Sequence, residues 1–338
     1  MIDVGKLPNK ELKKLLKCIR KNPKVIILPA PGLDSGVHSI NEDEYLVVST
    51  DPCIDVPEEW FGWLLVHYAA SDVALFGAKP EFCTINLLGP PKTKANVFIE
   101  IMEQVCTAAD GLNMTIITGH TGTYDGLATI VGACTAYGFV SKDRLITPGG
   151  AQCGDYIVCT KQIGLETVVN FTLTHKALAE SLFNVNRTRE LQSLMSRQSC
   201  VAEASRLSEI EGVHAMHDIT EGGLVMCLNE MADSSNLGFI IYREKLPILE
   251  EVRAVRRQFN LSRTEILSIS STGSLVASID SQKTEDALRE LAKNEIEATL
   301  IGAFTEDKKR ILRRGKHTSV FPKVAKDPYS KIMRRQRH

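Results

Sequence analysis

No paired cysteine motif occurs in this chain. Nine cysteines, at positions 18, 53, 83, 106, 134, 153, 159, 200 and 227, stand singly. Their spacing excludes a C-x-x-C zinc or redox site and argues against a disulfide framework, so reduced thiols are expected, most of them buried as small hydrophobes. Aromatic residues are scarce, at 6%. No apolar run approaches the roughly 20 residues of a membrane-spanning helix, and Met1-Ile2-Asp3-Val4-Gly5-Lys6 has no signal-peptide pattern. These absences point to a cytosolic protein away from membranes. What is present, 338 residues of which 43% are hydrophobic, is enough for two domains with sizeable cores.

Neither sign of charge dominates overall, but the balance is uneven. From Lys308 onward there are twelve Lys/Arg and one acid, Asp327, so residues 1–307 carry 28 basic against 40 acidic groups. The segment 308–338 reads as a basic, solvated C-terminal tail, suited to an acidic partner. No aromatic residues interleave with its charges in the manner of single-strand binders, which argues against nucleic acid.

Strand and helix signals alternate along the chain. A short amphipathic helix is predicted over 10–20, a strand at 25–28, a loop over 29–36, and a strand over 45–50 that stops at Asp51-Pro52, because Pro52 has no N–H to give. That places the Asp51 carboxylate at a strand end, where α/β folds bind ligands. Residues 60–76 read as a helix apolar nearly all round, with one acid inside, Asp72. A buried charge is costly alone, so Asp72 is expected to face solvent at a helix end or to accompany a metal or cation. A strand over 82–88, a helix over 97–112 and a strand over 114–118 follow, then a tight turn Gly119-His120-Thr121-Gly122 offering N–H groups and a hydroxyl to a phosphate. A strand over 129–140 closes the first domain, 1–150. Turn formers around 145–155 separate it from a second, 151–307, with a strand at 156–160, a helical region over 180–209, and strands near 213–216, 239–242 and 299–303. Further helices are predicted over 248–259 and 283–293, and 267–277 reads as strand, turn, strand.

The most informative stretch is His217-Asp218-Ile219-Thr220-Glu221-Gly222-Gly223-Leu224. Two acids, a hydroxyl and a glycine pair crowd what reads as a helix start, with Leu224, Leu228 and Met231 at helical spacing behind. Such a start attracts anions and lets a ligand approach the backbone, and a carboxylate there can hold a metal that screens phosphates. Asp218 and Glu221 are equally suited to capping a helix N-terminus. His217 reads as a structural neighbour, since no partner carboxylate is visible in the sequence. Lys161, after a predicted strand, is a candidate phosphate contact or a solvated surface lysine.

Six segments occur in the order found in the aminoimidazole ribonucleotide synthetase-related superfamily: Ser49-Thr50-Asp51-Pro52, the helix with Ala69-Ala70-Ser71-Asp72-Val73-Ala74 followed by Gly77-Ala78-Lys79-Pro80, Gly119-His120-Thr121, Lys142-Asp143-Arg144-Leu145-Ile146-Thr147-Pro148-Gly149-Gly150-Ala151, Gly154-Asp155 with Thr160-Lys161, and the stretch 217–224. Over about residues 25–305 the chain resembles this family, and most of all the branch of the hydrogenase maturation dehydratase and its archaeal relatives. The resemblance implies two α/β (α+β) domains, a homodimer formed by pairing N-terminal sheets into a barrel, and ATP with Mg²⁺ as cofactors in phosphorylation of an oxygen on a small substrate. By position it assigns Asp51, Asp72 and Asp34 to the metal and the nucleotide phosphates and favours Asp218 and Glu221 for catalysis on the substrate, while Gly119, His120, Thr121 and Lys161 stand as candidate nucleotide-phosphate contacts from their local setting.

The departures are specific. Ser35 stands where relatives have a second acid, and Thr272 where they have an acid before a glycine. The chain ends Gln336-Arg337-His338 without the terminal cysteine of the maturation dehydratase, so its carbamoyl dehydration is not expected here. No N-terminal cysteine pair supports selenophosphate synthesis. Alternatives are a thiamine-monophosphate kinase-like enzyme, although Asp218-Ile219-Thr220-Glu221-Gly222 departs from that pattern, and a nucleotide-binding assembly protein without turnover.

Overall fold

The computed structural model describes residues 5–334, and the chain forms two compact units. One spans Lys13–Leu145; the other takes Ile146 onward together with the residues up to Leu12. Helix α1 (Asn9–Leu16) precedes the first sheet.

Six strands build the sheet of the N-terminal unit: β1 (Val25–Ile27), β2 (Ser35–Ser39), β3 (Glu44–Cys53), β4 (Lys79–Gly89), β5 (Thr115–Thr123) and β6 (Val131–Ser141), in the order β1-β2-β3-β6-β4-β5. All pairs are antiparallel except β4 with β5. Side chains alternate across it. Val47, Ser49, Cys53, Cys83, Ile85, Leu87, Cys134 and Ala136 are at most 3% exposed on one face, beside α2 (Phe61–Leu75) and α3 (Ala95–Gly111). Packing of α2 between the sheet and α3 explains why it is apolar on every side. The other face, with Phe82 stacked on Tyr137 at 5.5 Å, is only partly covered within the described residues.

Two boundaries in this unit are set by tertiary contacts. The loop expected over 29–36 holds from 29 to 34 and yields at Ser35 to β2, whose Ser-Gly-Val-His-Ser sequence has little strand propensity of its own but is paired on both sides, by β1 and β3. β3 does not stop at Pro52. It continues to Cys53, with Pro52 opposite Ala133 of β6; β2 reaches only Ser49, so beyond it β3 is edge-like, a position that tolerates a missing N–H.

The second unit carries a seven-stranded sheet ordered β13-β12-β9-β11-β7-β10-β8. Its strands and helices, in chain order, are β7 (Tyr156–Thr160), α4 (Leu165–Thr174), α5 (Lys176–Phe183), α6 (Val185–Ser193), α7 (Val201–Ser208), β8 (Val213–Asp218), α8 (Gly223–Ser235), β9 (Gly238–Tyr242), α9 (Val252–Gln258), α10 (Arg263–Leu267), β10 (Leu275–Ile279), α11 (Thr284–Lys293), β11 (Ala298–Thr305), β12 (Arg310–Arg314), β13 (His317–Val320) and α12 (Tyr329–Met333). The single helical region expected over 180–209 is broken at Asn184, which takes a left-handed φ of 67° and caps α6 by accepting the Arg187 N–H. Where strand was expected from Leu267, α10 ends; Ser262 and Glu265 start it with a reciprocal capping box. Residues 268–274 then form a buried, hydroxyl-rich loop.

The basic segment after Lys308 is no solvated tail. β12 joins the sheet parallel to β9, β13 pairs with β12, Phe321 is fully buried against Phe239, and Ile332 is buried in the core. The last four residues of that segment, 335–338, lie outside the described part. Replacing Phe321 by Ala is expected to cost about 3–5 kcal/mol in urea unfolding, while Val324→Ala, 78% exposed, should stay within about 0.5 kcal/mol.

Candidate functional site

In the N-terminal unit Ser49 links two of the sequence-predicted acids, Asp72 and Asp34, and Asp51 lies two residues along the same strand. Asp72, near the end of α2, is 4% exposed. It does not face solvent: the Ser49 hydroxyl donates to its Oδ2 at 2.8 Å, and that hydrogen bond offsets part of the cost of the buried charge. The same hydroxyl lies 3.0 Å from the main-chain oxygen of Asp34. Ser35 donates to the main-chain oxygen of Asp72 at 3.0 Å, so it locks helix to strand. Asp51 follows Ser49 by two residues on the same face of β3, opposite Cys134. Burial, and then the Asp51 charge, push the Cys53 thiol far up; beside Cys134 the hydrogen bond with Cys83 acts first, burial next and Asp51 last. These thiols are inert walls. The acids themselves are hard oxygen donors of the kind Mg²⁺ prefers.

Gly119, His120 and Thr121 do not form a turn. They lie inside β5, paired with Ile85, Asn86 and Leu87 of β4. A Cβ at position 119 would run into the Ile85 carbonyl oxygen, and that close approach is why glycine stands there. Gly119 shares a row of the sheet with Asp51, but two strands intervene, about 14 Å of separation at the usual strand spacing. His120 belongs to the opposite face and meets the Tyr124 hydroxyl at 2.5 Å. His120 is therefore across the sheet from the acids, while Gly119 and Thr121 share their face with two strands between.

In the second unit, His217 and Asp218 end strand β8 instead of opening a helix. Helix α8 starts at Gly223 behind Gly222, which has no side-chain cap, so neither Asp218 nor Glu221 serves as N-cap. The expected apolar residues Leu224, Leu228 and Met231 are all fully buried. Exposed Glu221 accepts the Lys6 N–H with both oxygens, at 2.9 and 3.2 Å. His217 has the carboxylate neighbours that the sequence hid: Asp218 Oδ1 lies 3.2 Å from its Nδ1 and Glu230 Oε2 3.3 Å from its Nε2. Glu230 sits on α8, seven residues past the helix start.

Lys161 is neither a surface lysine nor placed to touch a phosphate. It is 7% exposed, and its ammonium contacts the carbonyls of Arg197, Ser199 and Gly273 at 3.0, 2.6 and 3.0 Å and Glu203 at 2.5 Å. With its donors committed, it ties the 197–199 and 272–274 segments to the end of β7.

Two carboxyl groups escaped the sequence reading. Glu166, in the first turn of α4, accepts from the hydroxyls of Ser270 and Thr272 and from the Thr272 N–H. Burial drives its carboxyl up against those hydrogen bonds, and Asp218 adds to the rise. Asp327 accepts the Gly222 N–H at 3.0 Å and the Tyr329 N–H at 2.8 Å. Loss of hydration outweighs both donors and, with Glu166 and Glu221 nearby, pushes it up to about 7. An acid in a segment after Gly164, and another in a basic stretch, carried no motif that could single them out.

The architecture agrees with known proteins. The AIR synthase related N-terminal domain model matches residues 32–140 and the C-terminal domain model residues 152–314. The chain belongs to the AIR synthase related family. A putative hydrogenase expression/formation protein of Methanocaldococcus jannaschii is 28% identical over 74% of this chain and 72% of its own. Among family structures, the hydrogenase maturation protein HypE in complex with ATP superposes with a TM-score of 0.67 at 18% identity, covering 97% of this chain and 98% of that one. Thiamine monophosphate kinase of Aquifex aeolicus gives 0.67 at 18%, covering 90% and 97%. These similarities establish the two-domain mixed fold. The family's match ends at Arg314, so the segment bearing Asp327 lies beyond it.

Asp327 has a measurable consequence. Asp327 is pushed up to about 7 in the folded protein, whereas an ordinary aspartate releases its proton near 3.8. The folded state therefore binds more protons between those values, and stability falls as pH rises through that window. Asp327→Asn cannot ionise and should flatten the fall between pH 5 and pH 8 by on the order of 1–2 kcal/mol, less than the full shift because the side chain keeps some solvent contact. Urea midpoints of both proteins at the two pH values check this.

Proposed function

We propose that the chain is an ATP- and Mg²⁺-dependent enzyme that phosphorylates an oxygen of a small substrate. The observation that carries this reading is the Ser49 hydroxyl bridging the Asp72 carboxylate and the Asp34 main chain, with Asp51 two residues along on the same helix-covered face of β3. In this proposal those acids hold the metal and the nucleotide phosphates. ATP would supply the phosphoryl group, and a Mg²⁺ held by these acids would offset its charge. What the protein adds is positioning: Ser49 fixes the carboxylate of Asp72 against β3 while Ser35 holds its main chain, so little reorganisation is needed when a ligand arrives. Asp218 is assigned to the substrate from the end of β8, and Glu221 joins it when its contact with the Lys6 N–H opens.

A homodimer is proposed as the working form. The face of the N-terminal sheet bearing Phe82 and Tyr137 is the apolar surface for a second copy, in keeping with the family resemblance. The domain roles follow: nucleotide in 1–150, substrate chemistry in 151–307. Asp51→Asn is expected to weaken Mg·ATP binding at least about tenfold in calorimetry, or about 1.4 kcal/mol, and to abolish ADP release with whichever metabolite of a screened library stimulates it. A trial with thiamine monophosphate tests the kinase alternative first. Nucleotide binding that no metabolite turns into ADP release would favour an assembly protein; no nucleotide uptake at all overturns the proposal.

A further inference from the structure

Glu166 is a carboxyl with one committed oxygen and one open one. Its Oε2 takes all three hydrogen bonds, from Ser270 Oγ, Thr272 Oγ1 at 2.6 Å and Thr272 N at 3.2 Å, whereas Oε1 accepts none among the described residues. The side chain is nevertheless 8% exposed. The cradle is rigid, because the loop is pinned to the first turn of α4: the Gly164 N–H donates to Ser271 Oγ at 2.7 Å and Thr167 Oγ1 donates to the Ser270 carbonyl at 2.8 Å. That loop also meets the Asp218 segment, through the Ser271 N–H on the Ile219 carbonyl at 2.8 Å and the Ile219 N–H on the Ser274 carbonyl at 2.9 Å.

We propose that Glu166 is a further residue of the Asp218 site, presenting its Oε1 as a hydrogen-bond donor to an anionic oxygen of the substrate, such as that of a phosphate or carboxylate. This rests on the reading of Asp218 as substrate-facing. Three donors already crowd Oε2, so a proton on this carboxyl rides on Oε1 and points away from the cradle. Burial acts first on Glu166, and the charge of Asp218, at the end of β8, adds to it; both favour the protonated form. A carboxyl kept neutral by its surroundings is an established way to donate toward oxygen. It lets a site walled by acids accept an anion, which ionised carboxylates alone would repel.

Substitution separates the roles. Gln at position 166 retains an oxygen for the three donors and places an N–H₂ where the proton was, whereas Ala removes both. In full-length protein carrying Asp327→Asn, so that no second carboxyl overlaps, the infrared C=O band of a protonated carboxyl should persist at pH 7 and vanish on adding Glu166→Gln. With inorganic phosphate as the probe, Glu166→Gln should bind within about threefold of wild type and lose the decline that wild type shows toward pH 9; Glu166→Ala should bind at least tenfold more weakly. A band gone by pH 5, equal loss in Gln and Ala variants, or no phosphate binding by wild type overturns the proposal. Calorimetry with Mg·ATP and Asp51→Asn reports on the nucleotide reading separately, so either can fail alone.

Discussion

A carboxylate within an apolar helix has to find a donor, and much of the N-terminal unit follows from that demand. Asp72 is embedded in α2 among Val66, Ala69, Ala70 and Val73, all at 0% exposure. Its donor comes from a different element, the Ser49 hydroxyl on β3, and Ser35 on β2 holds the main chain of the same residue. Three elements are thereby set in register by hydrogen bonds that weaken if any slides, since a one-residue slip of β3 would turn Ser49 to the far face. The same registration brings Asp51 and Asp34 to the neighbourhood of Asp72. Structural need and ligand chemistry are met by one arrangement.

The second unit solves a related problem differently. Around the ends of β7, β8 and β10 it buries a lysine and several acids. Lys161 is absorbed wholly by carbonyls and Glu203, which holds the polar loop 268–274 against β7. With that cation spent, burial dominates at Glu166 and Asp327, and both are pushed toward their protonated forms. The C-terminal segment takes part: Asp327 holds the backbone of Gly222, and the Tyr329 hydroxyl accepts from Asn170 of α4 at 2.9 Å. A segment that composition alone marks as basic and solvated is a strap across the unit that carries the substrate residues.

Legibility differed by the kind of signal. Long periodic elements were plain: α2, α3 and the apolar face of α8 stand within a residue or two of where apolar spacing put them, because burial of a whole face leaves a strong pattern. Family membership was legible too, from six ordered segments, each weak alone. Short elements were not. β2, α4, β12 and β13 owe their form to neighbours distant in the chain, and strand propensity is context-dependent. The phosphate-binding turn at 119–121 was misread for the opposite reason: its glycine reflects close approach of Ile85 in β4, a contact that no local pattern records.

The sequence by itself determined the class of fold, the two-part division of acid-bearing motifs, and the residue types that suit a metal-bound polyphosphate, since these follow from composition, periodicity and ordered motifs. Only the tertiary structure decided which acids stand together, that Lys161 is spent on carbonyls and Glu203, and that Glu166 and Asp327 are pushed toward their protonated forms. The reason is that desolvation and hydrogen bonding depend on what surrounds a group in space, and those surroundings come from segments up to a hundred or more residues apart.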